Sequence, residues 1–297
     1  MNITLQNGSV LPGDMVISAV LRTDLSPVPA SLEVTLRGSE EIDKQAVEGN
    51  FLIAGSYNYE FQIIKVEKSN DVAGAQGKDV YPPLSITALY RPCHKISFRR
   101  SSAVIKEGAT LGEVYGACGA SVRIESDFSI KKFSCFIGGV PSYHIAVSLQ
   151  EEGGAVFLDK GSVRFLRLED LFKQKSSITI SEDAAQEIAS GFLERHEIPF
   201  FYSLDEQGKF VFGNKSKVRA AQYQPRTDSR LLRNLSKAIV TRKIARLDFS
   251  PSINAGSIIT VGKNDYVVIT AAHAFISGTD GEGVDTYSKF WLGTLEG

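Results

Sequence analysis

Val267-Val268-Ile269-Thr270-Ala271-Ala272-His273 is the stretch on which the reading of the fold turns. Its four β-branched residues run consecutively, Val267 to Thr270, the composition of a strand. Strands of the same kind surround it at Ile244 to Phe249, Ser257 to Val261 and Tyr287 to Leu292. They return at the other end of the chain as Val16 to Leu21, Ser31 to Leu36, Tyr59 to Val66 and Leu84 to Tyr90. The last two flank Ser69 to Tyr81, which reads as a long exposed hairpin loop rich in Asn, Asp, Gly and Lys.

Between these β-rich ends the periodicity changes. Thr110 opens a short helix to Ala117, and Ile130 to Ile137 reads as a strand. Ser142 is the expected N-cap of a second helix that Gly153-Gly154 ends. Two strands, Ala155 to Leu158 and Ser162 to Leu166, follow about the turn Asp159-Lys160-Gly161. A further helix is expected from Ser181, with Ala185, Ile188, Ala189 and Phe192 as its buried stripe. Phe200 to Phe212 reads as a hairpin. Asp228 caps a helix whose apolar face is Leu231, Leu232, Leu235, Ala238 and Ile239. The expected fold is therefore α+β, β-rich and multidomain. Its divisions are a β domain over 1–105, a middle α+β domain over 106–175, a second α+β domain over 176–242, and a closing β segment over 243–297.

Composition narrows the function. The 297 residues carry 33 Lys+Arg against 34 Asp+Glu, so no global field draws the chain to nucleic acid or an anionic membrane. An apolar fraction of 43% is enough for more than one core. No apolar run approaches the length needed to cross a bilayer, and no membrane insertion is expected. Cys93, Cys118 and Cys135 are an odd set without a C-x-x-C spacing, and residues 1–15 lack a signal-like pattern. Together these imply reduced, buried thiols and synthesis in a cytoplasm.

Each chemical motif fails on spacing. Val267 to His273 resembles the histidine strand of trypsin-like serine proteases, but only twenty-four residues follow His273, with no serine in a Gly-Asp-Ser-Gly context. A hydrolase with His273 as base is kept as an alternative. His196-Glu197 has Phe200 where a zinc protease needs its second histidine. His94 and His144 lack ligand partners, and Cys93 and His94 are expected to point apart on a strand. Gly74 to Lys78 is too short for a phosphate loop. The acidic loop 278–285 lacks calcium-loop spacing. No catalytic, cofactor or metal residue is assigned.

One asymmetry survives. Lys215, Lys217, Arg219, Arg226, Arg230, Arg233, Lys237, Arg242, Lys243 and Arg246 face a single acid, Asp228, in their segment. The local net is +9, which leaves −10 for all other residues. A basic subunit-contact face or a solvated face accounts for this; so does a nucleic-acid-binding module, although Tyr223 alone interleaves the charges.

Three stretches resemble one family. Gly138-Gly139-Val140-Pro141-Ser142 through Gly153-Gly154 and on to Ser162–Phe172 is similar to the middle α+β domain of baseplate hub (tail hub) proteins of contractile-tailed phages and related injection systems. Ala245 to Pro251 with Ala255 to Val261 is similar to that family's return strand. Val267 to Phe275 with Tyr287 to Trp291 is similar to its closing hairpin. The resemblance implies a non-enzymatic homotrimer in the tail baseplate of a virion, with tube-like β-barrels built by the first and last segments. Its implied partners are the tail tube protein, the central spike protein and baseplate wedge or other baseplate proteins, with DNA only as cargo through the channel. It brings no catalytic residue and no cofactor.

Overall fold

A computed structural model describes residues 2–68, 81–188, 198–225, 228–278 and 283–296. The chain is β-rich, with several sheets and few helices, as the sequence pattern predicts. In the first segment, β1 (Ile3–Leu5), β2 (Val16–Asp24), β3 (Ala30–Leu36), β4 (Phe51–Ala54), β5 (Tyr59–Lys68) and β6 (Leu84–Tyr90) form an antiparallel run. Alternate residues of β3 and β6 are buried, as a half-buried pleat requires. A short helix, α1 (Glu40–Gln45), crosses between β3 and β4, capped by the Ser39 side chain.

The middle region holds β7 (Val104–Thr110), α2 (Leu111–Ala117), β8 (Ile124–Glu125), β9 (Ser129–Cys135), α3 (Pro141–Glu152), β10 (Gly154–Asp159), β11 (Ser162–Arg167) and α4 (Leu168–Leu171). Thr110 opens α2 as predicted: its hydroxyl accepts from the Glu113 N–H while the Glu113 carboxylate accepts from the Thr110 N–H. Ser142 does not cap α3. The cap is Val140, and Pro141 takes the first helical position, where its missing N–H leaves nothing unsatisfied. Cys93 and His94 are not on a strand either, since a 3-10 turn begins at His94.

The chain continues with β12 (Ser176–Ile180), β13 (Ala185–Glu187), β14 (Phe200–Leu204), β15 (Phe210–Phe212), β16 (Ala221–Tyr223), α5 (Ser229–Leu235), β17 (Ala238–Asp248), β18 (Ile258–Val261), β19 (Asn264–Ile276) and β20 (Asp285–Glu296). The helix expected from Ser181 is a single 3-10 turn, Glu182–Ala184, running into β13. Ala185 pairs with Ala245 of β17, and this ladder overrides the local helical signal. Ala189, Phe192 and His196-Glu197 lie outside the described residues, as do 69–80, including Gly74 to Lys78. α5 stops at Leu235, so Ala238 and Ile239 begin β17 instead of extending the helical face.

The two ends of the chain meet in one sheet. β2 pairs antiparallel with β19, placing Leu21 opposite His273, and the order β1-β4-β5-β6-β3-β2-β19-β20-β17-β13 follows. Thr270 Oγ1 donates to Asp24 Oδ1 at 2.6 Å across this join. One buried cluster runs from Ile3 to Phe165, so the first segment and the middle region share a core. Within it Tyr115 is completely buried and its hydroxyl donates to the Pro27 carbonyl at 3.0 Å. A second cluster fills the closing strands around Ala271, Phe290 and Leu292.

Candidate subunit-contact site

The described basic residues of 215–246 stand on α5, on β17, on the residue pair joining these two, and on the connection between β15 and β16. Arg230, on α5, grips Glu152 at the end of α3 with both terminal nitrogens, at 2.9 Å each. Paired donors on one carboxylate fix geometry as well as charge. Lys237 Nζ reaches Glu169 Oε1 at 2.7 Å, and this bond holds the Glu169 carboxyl below its ordinary value. On β17, Arg242 pairs with Glu296 at 2.7 Å and Arg246 with Asp285 at 2.7 Å, the Arg246 guanidinium lying over the Tyr287 ring. Lys243 is 4% exposed and lies between Glu182 and Glu187, at 3.3 and 3.4 Å. Burial alone would lower its pKa; the two carboxylates outweigh that and raise it.

Arg230, Lys237, Arg242, Lys243 and Arg246 are thus answered by acids of this same chain. Arg233 is exposed on α5, and Arg226 lies outside the described residues. Lys215, Lys217 and Arg219 stand on the connection between β15 and β16. Lys215 Nζ sits 4.2 Å from the centre of the Phe212 ring.

These last three border a surface the sequence reading missed. β14 pairs with β15 antiparallel and with β16 parallel. One face of this small sheet packs Phe201 on Leu232 and Leu235 of α5. The opposite face carries Phe200, Tyr202, Leu204, Phe210, Phe212 and Tyr223, because alternate strand residues point the same way. Tyr202 is the hub of the group, with ring centroids 5.8 Å from Phe210, 6.2 Å from Phe212 and 5.7 Å from Tyr223. Phe210 is 59% exposed and Tyr223 50%. Small antiparallel sheets ordinarily put polar residues on the face that no layer covers. The signal was in the sequence: Phe200 to Phe212 is apolar at both strand parities, so both faces of the hairpin had to be apolar.

His273 lies in the opposite kind of environment. It is completely buried, flanked edge-on by Phe249 and Phe290, and its Nδ1 shares a 2.8 Å hydrogen bond with Ser288 Oγ. That hydroxyl also accepts from the Ser250 N–H at 2.8 Å, so the pair is committed to fixing the β20 register and the turn after β17. Burial pushes the imidazole down to about 4, the Ile253 backbone opposing it only in part. It is a neutral core histidine with no exposed surface.

The three thiols are free and buried; burial pushes Cys93 to about 12 and Cys118 to about 11, far from the reactive thiolate range. Among the described residues no group of three or more His, Cys, Asp or Glu is arranged to hold a metal. Of the acidic loop 278–285, residues 279–282 lie outside the described residues, and Asp285 is the partner of Arg246. No helix among the described residues is long and apolar enough to cross a membrane.

No sequence-family model matches the chain, and no curated protein matches it by sequence. Its fold is nevertheless shared with solved structures along nearly its full length. The tail protein from Neisseria meningitidis MC58 superimposes with a TM-score of 0.64 at 7% identity, over 99% of this chain and 95% of that one. The 43 kDa tail protein of prophage MuSo2 from Shewanella oneidensis gives 0.63 at 11%, over 98% and 96%. The E. coli c3393 protein, a type VI secretion component described as similar to T4 bacteriophage tail proteins gp27 and gp5, gives 0.51 at 9%, over 93% and 73%. The chain has the fold of phage tail and baseplate hub-like proteins.

Proposed function

We propose that this protein is a structural component of a contractile tail or related injection system, the baseplate hub. In this reading it acts as a homotrimer that joins a sixfold tail tube to a threefold central spike and lines part of the DNA channel. The observation that carries the reading is the whole-length likeness to phage tail proteins, with nearly complete coverage on both sides. The pairing of β2 with β19 supports it, since one continuous sheet from both chain ends gives a wall that three copies can repeat around an axis. Residues 1–105 and 243–297 would supply that tube-like wall, and 106–175 and 176–242 the α+β regions around it. Its partners are the tail tube, central spike and wedge proteins, and its place is the tail of a virion.

The hydrolase reading is disfavoured by the buried, neutral His273, and the nucleic-acid reading by the acids of this chain that already hold Arg230, Lys237, Arg242, Lys243 and Arg246. Imaging of the intact tail tests the proposal: three copies on the axis between tube and spike are expected. A copy number other than three, or an off-axis position, overturns it. Strong DNA binding by the purified protein that weakens steeply with salt would move the assignment to the nucleic-acid reading.

A further inference from the structure

The small sheet of β14, β15 and β16 forms one body with α5 and stands apart from the rest of the molecule. Among the described residues this sheet pairs with no strand outside itself. Its apolar cluster of Phe201, Leu232, Leu235 and Val211 merges neither with the core that runs from Ile3 to Phe165 nor with the cores of the closing strands. The contrast with the first segment and the middle region is direct, since those two share a core and the buried Tyr115 hydroxyl ties one to the other. A unit whose buried apolar side chains are committed to one another depends on polar contacts to hold its seat.

Such contacts seat α5 on α3. Arg230 clasps Glu152 with both terminal nitrogens at 2.9 Å, Asn234 Nδ2 donates to the Glu151 carbonyl at 2.9 Å, and Gln150 Nε2 donates to the Leu235 carbonyl at 3.3 Å. Lys131 of β9 stands 4.0 Å from Asp228. The packing around these bonds is open. A cavity of about 210 Å³ lies beside the clasp, lined by Phe128, Ile130 and Ser148 from the middle region and by Arg230 and Leu231 from α5. A cleft of about 470 Å³ is bounded by Phe200, Lys215 and Arg219 of the unit and by Glu296 at the end of β20. A joint of hydrogen bonds and ion pairs beside voids lacks the dispersion contacts that lock a packed core, and polar interfaces within one chain permit relative motion. The clasp is also open to ions, because the Arg230 side chain is 43% exposed, so salt weakens it.

We infer that the β14–β16 sheet and α5 swing away from α3 as one folded unit, hinged where α5 passes into β17, and that the Arg230–Glu152 clasp sets how often they do so. Lys237, held by Glu169, stays with the body of the protein. The inference does not depend on the trimeric reading. The test attaches spin labels to the full chain at Tyr143→Cys on α3 and Arg233→Cys on α5, and, as the pair within the unit, at Glu206→Cys and Arg233→Cys. These positions are exposed, and the native thiols are buried. Two distances are expected across the joint. The longer one should gain about tenfold on the shorter in Glu152→Gln, and should gain as NaCl rises from about 50 mM to about 500 mM. The pair within the unit should keep one distance throughout. A single, unchanging distance across the joint would overturn the inference, as would a within-unit distance that broadens along with it, since that is unfolding. A longer distance indifferent to Glu152→Gln would overturn the role of the clasp. If Glu152→Gln does not fold, the salt series on the otherwise wild-type chain decides by the same outcomes.

Discussion

Gly153 offers a quantitative test of how the middle region is fastened to the helix that bears the basic residues. It closes α3 in the left-handed conformation, φ +66° and ψ +41°, where its N–H bonds back to Leu149 and Gln150 carbonyls. A Cβ placed there would lie 2.9 Å from both Cγ and Oδ1 of Asn234, a residue 8% exposed whose amide donates to the Glu151 carbonyl at 2.9 Å. Gly153→Ala therefore carries two costs. The left-handed backbone costs about 1 kcal/mol for a residue with a Cβ. Displacing Asn234 breaks a buried hydrogen bond and costs about 1–2 kcal/mol more. Gly108 is the matched control, with φ +61° and nothing within 4 Å of its built Cβ, so Gly108→Ala should show the backbone cost alone.

Urea unfolding of both variants and of the Gly153→Ala/Asn234→Ala pair separates the costs. Gly153→Ala should lower stability by about 2–3 kcal/mol, at least 1 kcal/mol more than Gly108→Ala. With Asn234 truncated, the excess should shrink, leaving a coupling of about 1 kcal/mol. Equal losses at the two glycines with strict additivity to Asn234→Ala would refute the packing argument.

Two further perturbations follow from the same reasoning. His273 has a folded-state pKa of about 4, below the usual value of 6.5, so the unfolded chain binds a proton that the fold refuses; stability is full above about pH 6.5 and falls as the pH drops toward 4. About 3 kcal/mol is lost over that window, and thermal unfolding of His273→Gln should show a correspondingly smaller drop between pH 7 and pH 4.5; an unchanged drop would show that other groups carry the acid sensitivity. Thr110→Ala removes the hydroxyl half of the α2 capping box and should cost about 1 kcal/mol by chemical denaturation, while Thr110→Ser should restore most of it.

Much of this architecture was legible from residue order. β2, β3, β5 and β6 follow from alternation, α2 from Thr110, and the end of α3 from Gly153, because each signal is local and strong. β1 and β4 escaped, since three or four apolar residues carry no period of their own. Ala185 and Ala238 were misassigned to helices because alanine favours a helix while the partners that make strands of them lie at Ala245 and Glu296. The basic segment was visible as a count. Its internal neutralisation was not, for Glu152, Glu169, Glu182, Asp285 and Glu296 come from distant parts of the chain.

The ladder between β2 and β19 has a kinetic side. Its Asp24–Thr270 bond spans 246 positions, and the Thr23 hydroxyl accepts from the Ala255 N–H across 232. During synthesis β2 must therefore wait for nearly all of the chain, its edge unpaired while β3 already holds its other side. Loop closure over such a span adds only modestly to the equilibrium cost, but contacts this remote in sequence slow folding and leave a strand edge open to foreign pairing. A pulse of hydrogen exchange during refolding should find β3 and β6 protected well before β19, with the late step setting how fast the complete sheet forms.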